Sequence, residues 1–138
     1  MTHLAAVLAV ALVISAGLSP VHAASDRSAA DKMCKGGAAG VACLESALKS
    51  AEAALEAAAT KARGVLNAGA LQGEDLKQTL ALFDAAHAQW LQFRNSECEA
   101  HERYDTALGA GGPPTRLACL LNETLARQKT MNVRFSSE

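Results

Sequence analysis

The chain has 138 residues, a formal charge of −1, and 4% aromatic against 50% hydrophobic residues. That near-neutral balance excludes the basic footprint of a nucleic-acid binder or of a protein held on an anionic membrane. With so few aromatic side chains, any core must be built from Leu and Ala.

Residues 1–23 predict a secretory signal peptide. Leu4 to Leu18 runs without Asp, Glu, Lys or Arg, Ser19-Pro20 follows, and the small residues Val21 and Ala23 place cleavage after Ala23. A membrane anchor would need about 20 continuous apolar residues, and Gly17, Ser19 and Pro20 cut the run short. Residues 24–138 then form one domain of about 115 residues, enough for a modest core. No membrane span is expected after cleavage, and the expected location is the periplasm or the exterior.

Cys34, Cys43, Cys98 and Cys119 all fall in the mature part. An even cysteine count in an exported chain points to disulfides. Four cysteines allow three connectivities. The sequential one, Cys34–Cys43 and Cys98–Cys119, closes a short loop and staples two neighbouring helices. No paired Cys-x-x-Cys spacing supports zinc, since only Cys98 and His101 stand at a ligand-like interval.

Residues 24–41 show no sustained period and read as a flexible start, leading into a turn at Gly36-Gly37. Leu44, Leu48, Ala51, Leu55, Ala58, Ala62 and Val65 then mark one face of a helix in an Ala-rich, helix-favouring background. Glu45, Lys49, Glu52 and Glu56 lie off that stripe, and Asn67-Ala68-Gly69 is its stop. A second helix opens after Gly73, with Glu74 and Asp75 in its first turn and a stripe of Leu76, Leu80, Phe83, Ala86, Trp90 and Phe93 continuing toward Cys98. The Gly109–Pro114 loop ends it. A third helix begins near Thr115 and carries Leu117, Leu121, Thr124, Gln128 and Met131 on one side. With no strand alternation anywhere, the expected fold is all-α, an antiparallel three-helix bundle-like domain stapled by two disulfides. One constraint follows. If the second helix reaches Leu108, Cys98 lies about 15 Å from its end, while a disulfide needs Cα atoms within about 7 Å. Either that helix stops near Arg103 or the loop folds back along it.

Trp90-Leu91-x-Phe93-Arg94-x-x-x-Cys98 is similar to the W-[LI]-x-[FY]-R-[DN]-x-x-C core of the lysozyme inhibitor LprI-like N-terminal domain, a family of small exported bacterial proteins. A second block, Cys119-x-x-x-x-Thr124-x-x-Arg127-x-x-x-Met131, resembles the family's C-x(3-4)-L-T-x-x-R-x-x-x-L, and Cys34 and Cys43 precede the first helix. The resemblance spans roughly residues 34–131. It departs in the first helix, where the family's usual A-D-x-x-L-N-x-x-Y is replaced by Ala51-Glu52-Ala53-Ala54-Leu55-Glu56-Ala57-Ala58-Ala59. The resemblance implies a helical, disulfide-bonded envelope protein, with lysozyme inhibition belonging to the namesake branch.

Trp90 and Arg94 stand one turn apart and share a helix face. The plainer expectation is that Trp90 fills the core while Arg94 stacks or pairs with a carboxylate of a neighbouring helix. Glu97, Glu99, Glu102 and Asp105 cluster around Cys98 and form the candidate surface for a basic partner such as a lysozyme or another cationic hydrolase. The alternative is an ordinary solvated face, with His101 and Arg103 interspersed. His101 stands four residues from both Glu97 and Asp105, whereas His87 is too far along the helix to join it on a metal. No Gly-x-Ser-x-Gly, His-Glu-x-x-His or phosphate-cradling loop occurs, since Pro113 and Pro114 lack the required N–H groups. The sequence therefore predicts a non-enzymatic binding protein without cofactor or metal. The competing reading is a structural or stress-related envelope protein that oligomerises through the Ala-rich stripe of its first helix.

Overall fold

A computed structural model describes residues 27–34 and 38–136. The expected signal peptide and the Gly36-Gly37 turn lie outside the described residues. Four helices and no strand occur among those described: α1 Arg27–Met33, α2 Ala38–Ala68, α3 Gly73–Ala107 and α4 Pro113–Arg134. The three long helices correspond to those read from the sequence. The expected flexible start is corrected, because its described part holds the short helix α1, and α2 begins at Ala38, before Leu44. The absence of a period misled the reading: α1 is two turns long, and Ala30 is its one buried side chain among those described, so no stripe can repeat. It is tied down by its Ala30 N–H, which donates to Asn122 Oδ1 of α4 at 3.2 Å.

The α2 stripe forms the centre of the domain. Leu44, Leu48, Ala51, Leu55, Ala58 and Ala62 are buried, as are Leu120, Leu121 and Met131 of α4. One cluster joins Ala30, Cys34, Leu44 and Ala51 to Leu121, and a second joins Leu48 to Cys98 and Leu120. The third packs Leu55, Ala58, Ala59 and Met131 against Phe83, Trp90 and Leu91 of α3. Each fully buried Leu contributes on the order of 2 kcal/mol of transfer free energy, and the alanines let the helices approach closely. The Ala stripe of α2 is thus covered within the chain itself. None of the described helices is long and apolar enough to cross a membrane.

Both disulfides have the sequential connectivity, with Cα separations of 5.6 Å for Cys34–Cys43 and 5.5 Å for Cys98–Cys119. The geometric constraint on the second is met by the loop. The α3 helix continues to Ala107, and Cys98 lies roughly 13 Å before its end while Cys119 lies roughly 9 Å into α4. The connection absorbs the difference by folding back. Gly109, at φ +78°, takes the left-handed position just past the helix. Its N–H donates to Thr106 O at 3.0 Å, and that of Ala110 donates to Asp105 O at 2.8 Å, a Schellman closure. Gly111 then lies so close to the Thr106 backbone that a Cβ there would collide with it. Pro113 and Pro114 occupy the first positions of α4, where a missing N–H costs nothing.

Removing the Cys98–Cys119 bridge as Cys98→Ala/Cys119→Ala should cost on the order of 3 kcal/mol on the loop-entropy model and lower the melting temperature by roughly 10–20 °C. The Cys34→Ala/Cys43→Ala pair, which closes a loop of 9 rather than 21 residues, should cost less. Thermal unfolding followed by circular dichroism checks the order of the two.

Candidate functional site

Two groups of side chains carry the chemistry of this domain. The first is a polar seam where α2, α3 and α4 meet. Arg94 is buried, at 5% exposure, on the inner face of α3. Its guanidinium donates to Thr124 Oγ1 of α4 at 2.7 Å, to Glu52 Oε1 of α2 at 3.0 Å and to Asn95 Oδ1. Thr124 passes the contact on, donating to Leu120 O at 2.6 Å. The Trp90 ring lies between two guanidinium groups, with Arg94 at 5.7 Å and Arg127 at 5.5 Å from its centroid. Desolvation pushes the Arg127 pKa down, helped by the like charge of Arg134. Arg127 Nε has no hydrogen-bond partner among the described residues.

One turn along α2 from Glu52, Glu56 Oε1 meets His87 Nε2 of α3 at 3.0 Å, and His87 is as buried as Arg94. Sequence reasoning missed this pair. The available signal was spacing: Glu52 and Glu56 are four apart, His87 and Arg94 are seven apart, and both intervals keep a helix face. Of the residues carrying the family resemblance, Trp90, Arg94, Thr124 and Arg127 come together in this seam. Phe93 does not. It is 59% exposed on the outer side of α3, and Ala86 is exposed with it. The expected stripe is therefore corrected: His87 and Arg94, each one residue further on, face inward because both find carboxylates on α2.

The second group is the acidic edge of α3 above the Cys98–Cys119 bridge. Cys98 is fully buried, so Glu97 and Glu99 leave the helix on either side of it. Glu99 is bonded to Arg103 at 2.7 Å, and that hydrogen bond, then the Arg103 charge, lowers the Glu99 pKa and raises that of Arg103. Glu97 faces His101 at 3.5 Å. Glu102 and Asp105, both half-buried, form no ion pair among the described residues. Only Glu99 is paired with a permanent cation, so the net negative field of this edge rests on Glu97, Glu102 and Asp105. The folded-back loop sits beside them and exposes Leu108, at 81%, as its most prominent side chain.

Among the described residues no group of three or more His, Cys, Asp or Glu is placed to hold a metal ion. Taken together, fold and sites define a disulfide-bonded scaffold of three long helices and one short one, with an internal charged seam and one acidic edge. The family model for lysozyme inhibitor LprI matches residues 29–131, and the chain belongs to that family. Neither the curated proteins nor the solved structures yield a match.

Replacing Arg94 by Ala should destabilise the domain by about 2–4 kcal/mol, because it strips Thr124 of a donor and Trp90 of a stacking partner. Arg94→Lys should recover only part of this, since an ammonium cannot fork between Thr124 and Glu52. Glu52→Gln, at a half-exposed partner, should cost under about 1 kcal/mol. Urea midpoints of the three variants check the ranking, and equal losses would contradict Arg94 as the hub.

Proposed function

We propose that this domain is exported, with its leader removed after Ala23, and that it binds and restrains a lysozyme-type cell-wall hydrolase through the acidic edge of α3. Membership of the lysozyme inhibitor LprI family over residues 29–131 is the observation that carries this reading. The two disulfides support export, since such bonds persist in oxidising compartments. The charge placement supports the partner class. A cationic hydrolase with an acidic cleft is steered by a negative patch, and Glu102 and Asp105 provide one that internal pairing does not neutralise.

The mode of action is occlusion rather than chemistry. The α3–α4 corner is closed by the Cys98–Cys119 disulfide and a Schellman loop, and it exposes Leu108. In this reading Leu108 contacts the rim of the partner's cleft while Glu97, Glu99, Glu102 and Asp105 supply long-range attraction. Rim charges act mainly on association rate and are screened by salt.

The test is lysis of a peptidoglycan suspension by lysozyme with and without the oxidised mature protein, beside a reduced and alkylated control. Inhibition by the oxidised form alone is expected. Glu102→Lys/Asp105→Lys should weaken inhibition at least tenfold, about 1.4 kcal/mol, and Glu99→Lys less, because Glu99 is already paired with Arg103. Raising the salt from about 50 to about 300 mM should weaken wild-type inhibition and leave the double variant nearly unaffected. Unchanged inhibition by the double variant excludes the acidic edge as the binding surface.

A further inference from the structure

Between Gln78 and Ser96, α3 carries three ionisable side chains, Asp84, His87 and Arg94. All three are bonded to α2: Asp84 to Arg63 at 2.6 Å, and His87 to Glu56 and Arg94 to Glu52 at 3.0 Å each. The other side of the helix over this stretch, roughly 27 Å long at 1.5 Å per residue, is left without a charge. It is formed by Leu82, Ala85, Ala86 and Phe93, interspersed with the neutral polar side chains of Gln78, Gln89, Gln92 and Ser96, all of them exposed. Leu82 is 71% and Tyr104 65% exposed, beside Phe93 at 59%. These three follow one another at intervals of eleven, which is three turns of helix, so they lie along one line. An exposed helix face is ordinarily charged and polar. This one is uncharged, with an apolar line along it, because every charge in its stretch is bonded to α2.

We propose that this face joins two copies of the chain as an antiparallel α3–α3 pair, with its two-fold axis near Phe93. Three features select a second copy as the occupant. The line is symmetric about Phe93, so an antiparallel partner sets Leu82 of each copy against Tyr104 of the other, as a self-complementary two-fold contact requires. The charges permit it only in that orientation. Of the acidic residues C-terminal to Phe93 only Glu97 lies close to this line, about 40° from it, and antiparallel pairing lays it beside the uncharged N-terminal half of the other copy. Gln89 and Glu97 stand four residues either side of Phe93, and the pairing therefore brings the amide donor of one copy to the carboxylate of the other. Parallel pairing would set like charges together. The area is also adequate for a weak dimer. Three large side chains exposed by more than half, with Ala85, Ala86 and Gln89 between them, offer on the order of 500 Å² per copy, and about 1,000 Å² in total is the threshold of a specific contact. A cationic hydrolase would find no complementary charge along the Leu82–Phe93 half of this face.

By helical phase, Glu102 and Asp105 lie about 120–180° around α3 from this line. They lie outside the pair, whereas Glu97 enters it; self-association is argued from none of the features that carry the proposed inhibition and survives if that reading fails.

Sedimentation of the mature, oxidised protein from about 1 to about 300 μM tests the pair, a range set by the weak-dimer area. Wild type should pass from monomer to dimer, and Phe93→Glu should stay monomeric throughout with an unchanged circular dichroism spectrum. A wild-type monomer at every concentration, or a Phe93→Glu protein that dimerises like wild type, overturns the proposal. Orientation is read by mild oxidation of single-cysteine variants. Phe93→Cys should cross-link to itself, while Leu82→Cys, whose two copies would stand roughly 33 Å apart, should not, cross-linking instead when mixed with Tyr104→Cys. Efficient self-cross-linking of Leu82→Cys overturns the antiparallel arrangement.

Discussion

A buried guanidinium has to be matched, and the arrangement of the three long helices follows from how Arg94 is matched. Its charge is held out of water, so it requires a carboxylate and neutral acceptors at fixed distances. Those partners come from different helices, Glu52 from α2 and Thr124 from α4. Sliding α3 by one residue would turn Arg94 away from both. The apolar contacts are less selective, because alanines and leucines along α2 tolerate small shifts, whereas a forked hydrogen-bond donor does not. Packing supplies most of the driving force for burial, and the Arg94 contacts select one register among the packings it would permit.

The covalent tie stands one turn further along the same helix face. Arg94 and Cys98 are four residues apart, so the electrostatic and the disulfide constraint act on adjacent turns of α3. The C-terminal half of that helix is consequently the well-fixed half. The acidic edge grows out of it, and the Schellman loop closes it against Thr106. Toward the N-terminal end the ties are lighter. Leu76 and Leu80 are only half-buried, Phe83 meets Phe135 edge-on at 5.8 Å, and the Arg63–Asp84 pair is solvent-exposed and weak on that account. A surface meant to meet a partner without reorganising gains from lying at the tied end.

How far the sequence disclosed this depended on which force decided each element. The α2 stripe was legible because burial alone sets it and its period repeats over several turns. The disulfide pairing followed from loop length and neighbouring helices. The α3 face was misplaced by one residue at Ala86 and Phe93, because hydropathy ranks Phe above Arg while the fold places the polar neighbour inside. The pairing of Arg94 with a carboxylate of a neighbouring helix was legible from its place one turn from Trp90, whereas His87 is an inward residue only through Glu56 on a different helix, which its own helix does not reveal. Helix α1 was missed because it is too short to display a period and is held by Ala30 and Asn122, 92 residues apart. At the acidic edge, spacing groups Glu97, Glu99, Glu102 and Asp105 together, but pairing with Arg103 sets Glu99 apart as the one compensated carboxylate. That division depends on side-chain rotamers and not on spacing alone.

The departures in the first helix are explained by the same seam. Where the resembling family usually carries Asn, this chain has Glu56, and where it carries Tyr, this chain has Ala59. Glu56 would be an ordinary surface carboxylate but for His87, whose ring is buried and needs a partner for Nε2. Ala59 is fully buried in the cluster that takes in Phe83, Trp90 and Leu91. A Tyr ring at that position would claim the volume now filled by side chains of α3, so the small residue and the close approach of Trp90 to α2 belong together. Glu56 and His87 thus make a polar tie between α2 and α3 beside that of Glu52 and Arg94. In this chain all four residues are occupied in holding the helices together.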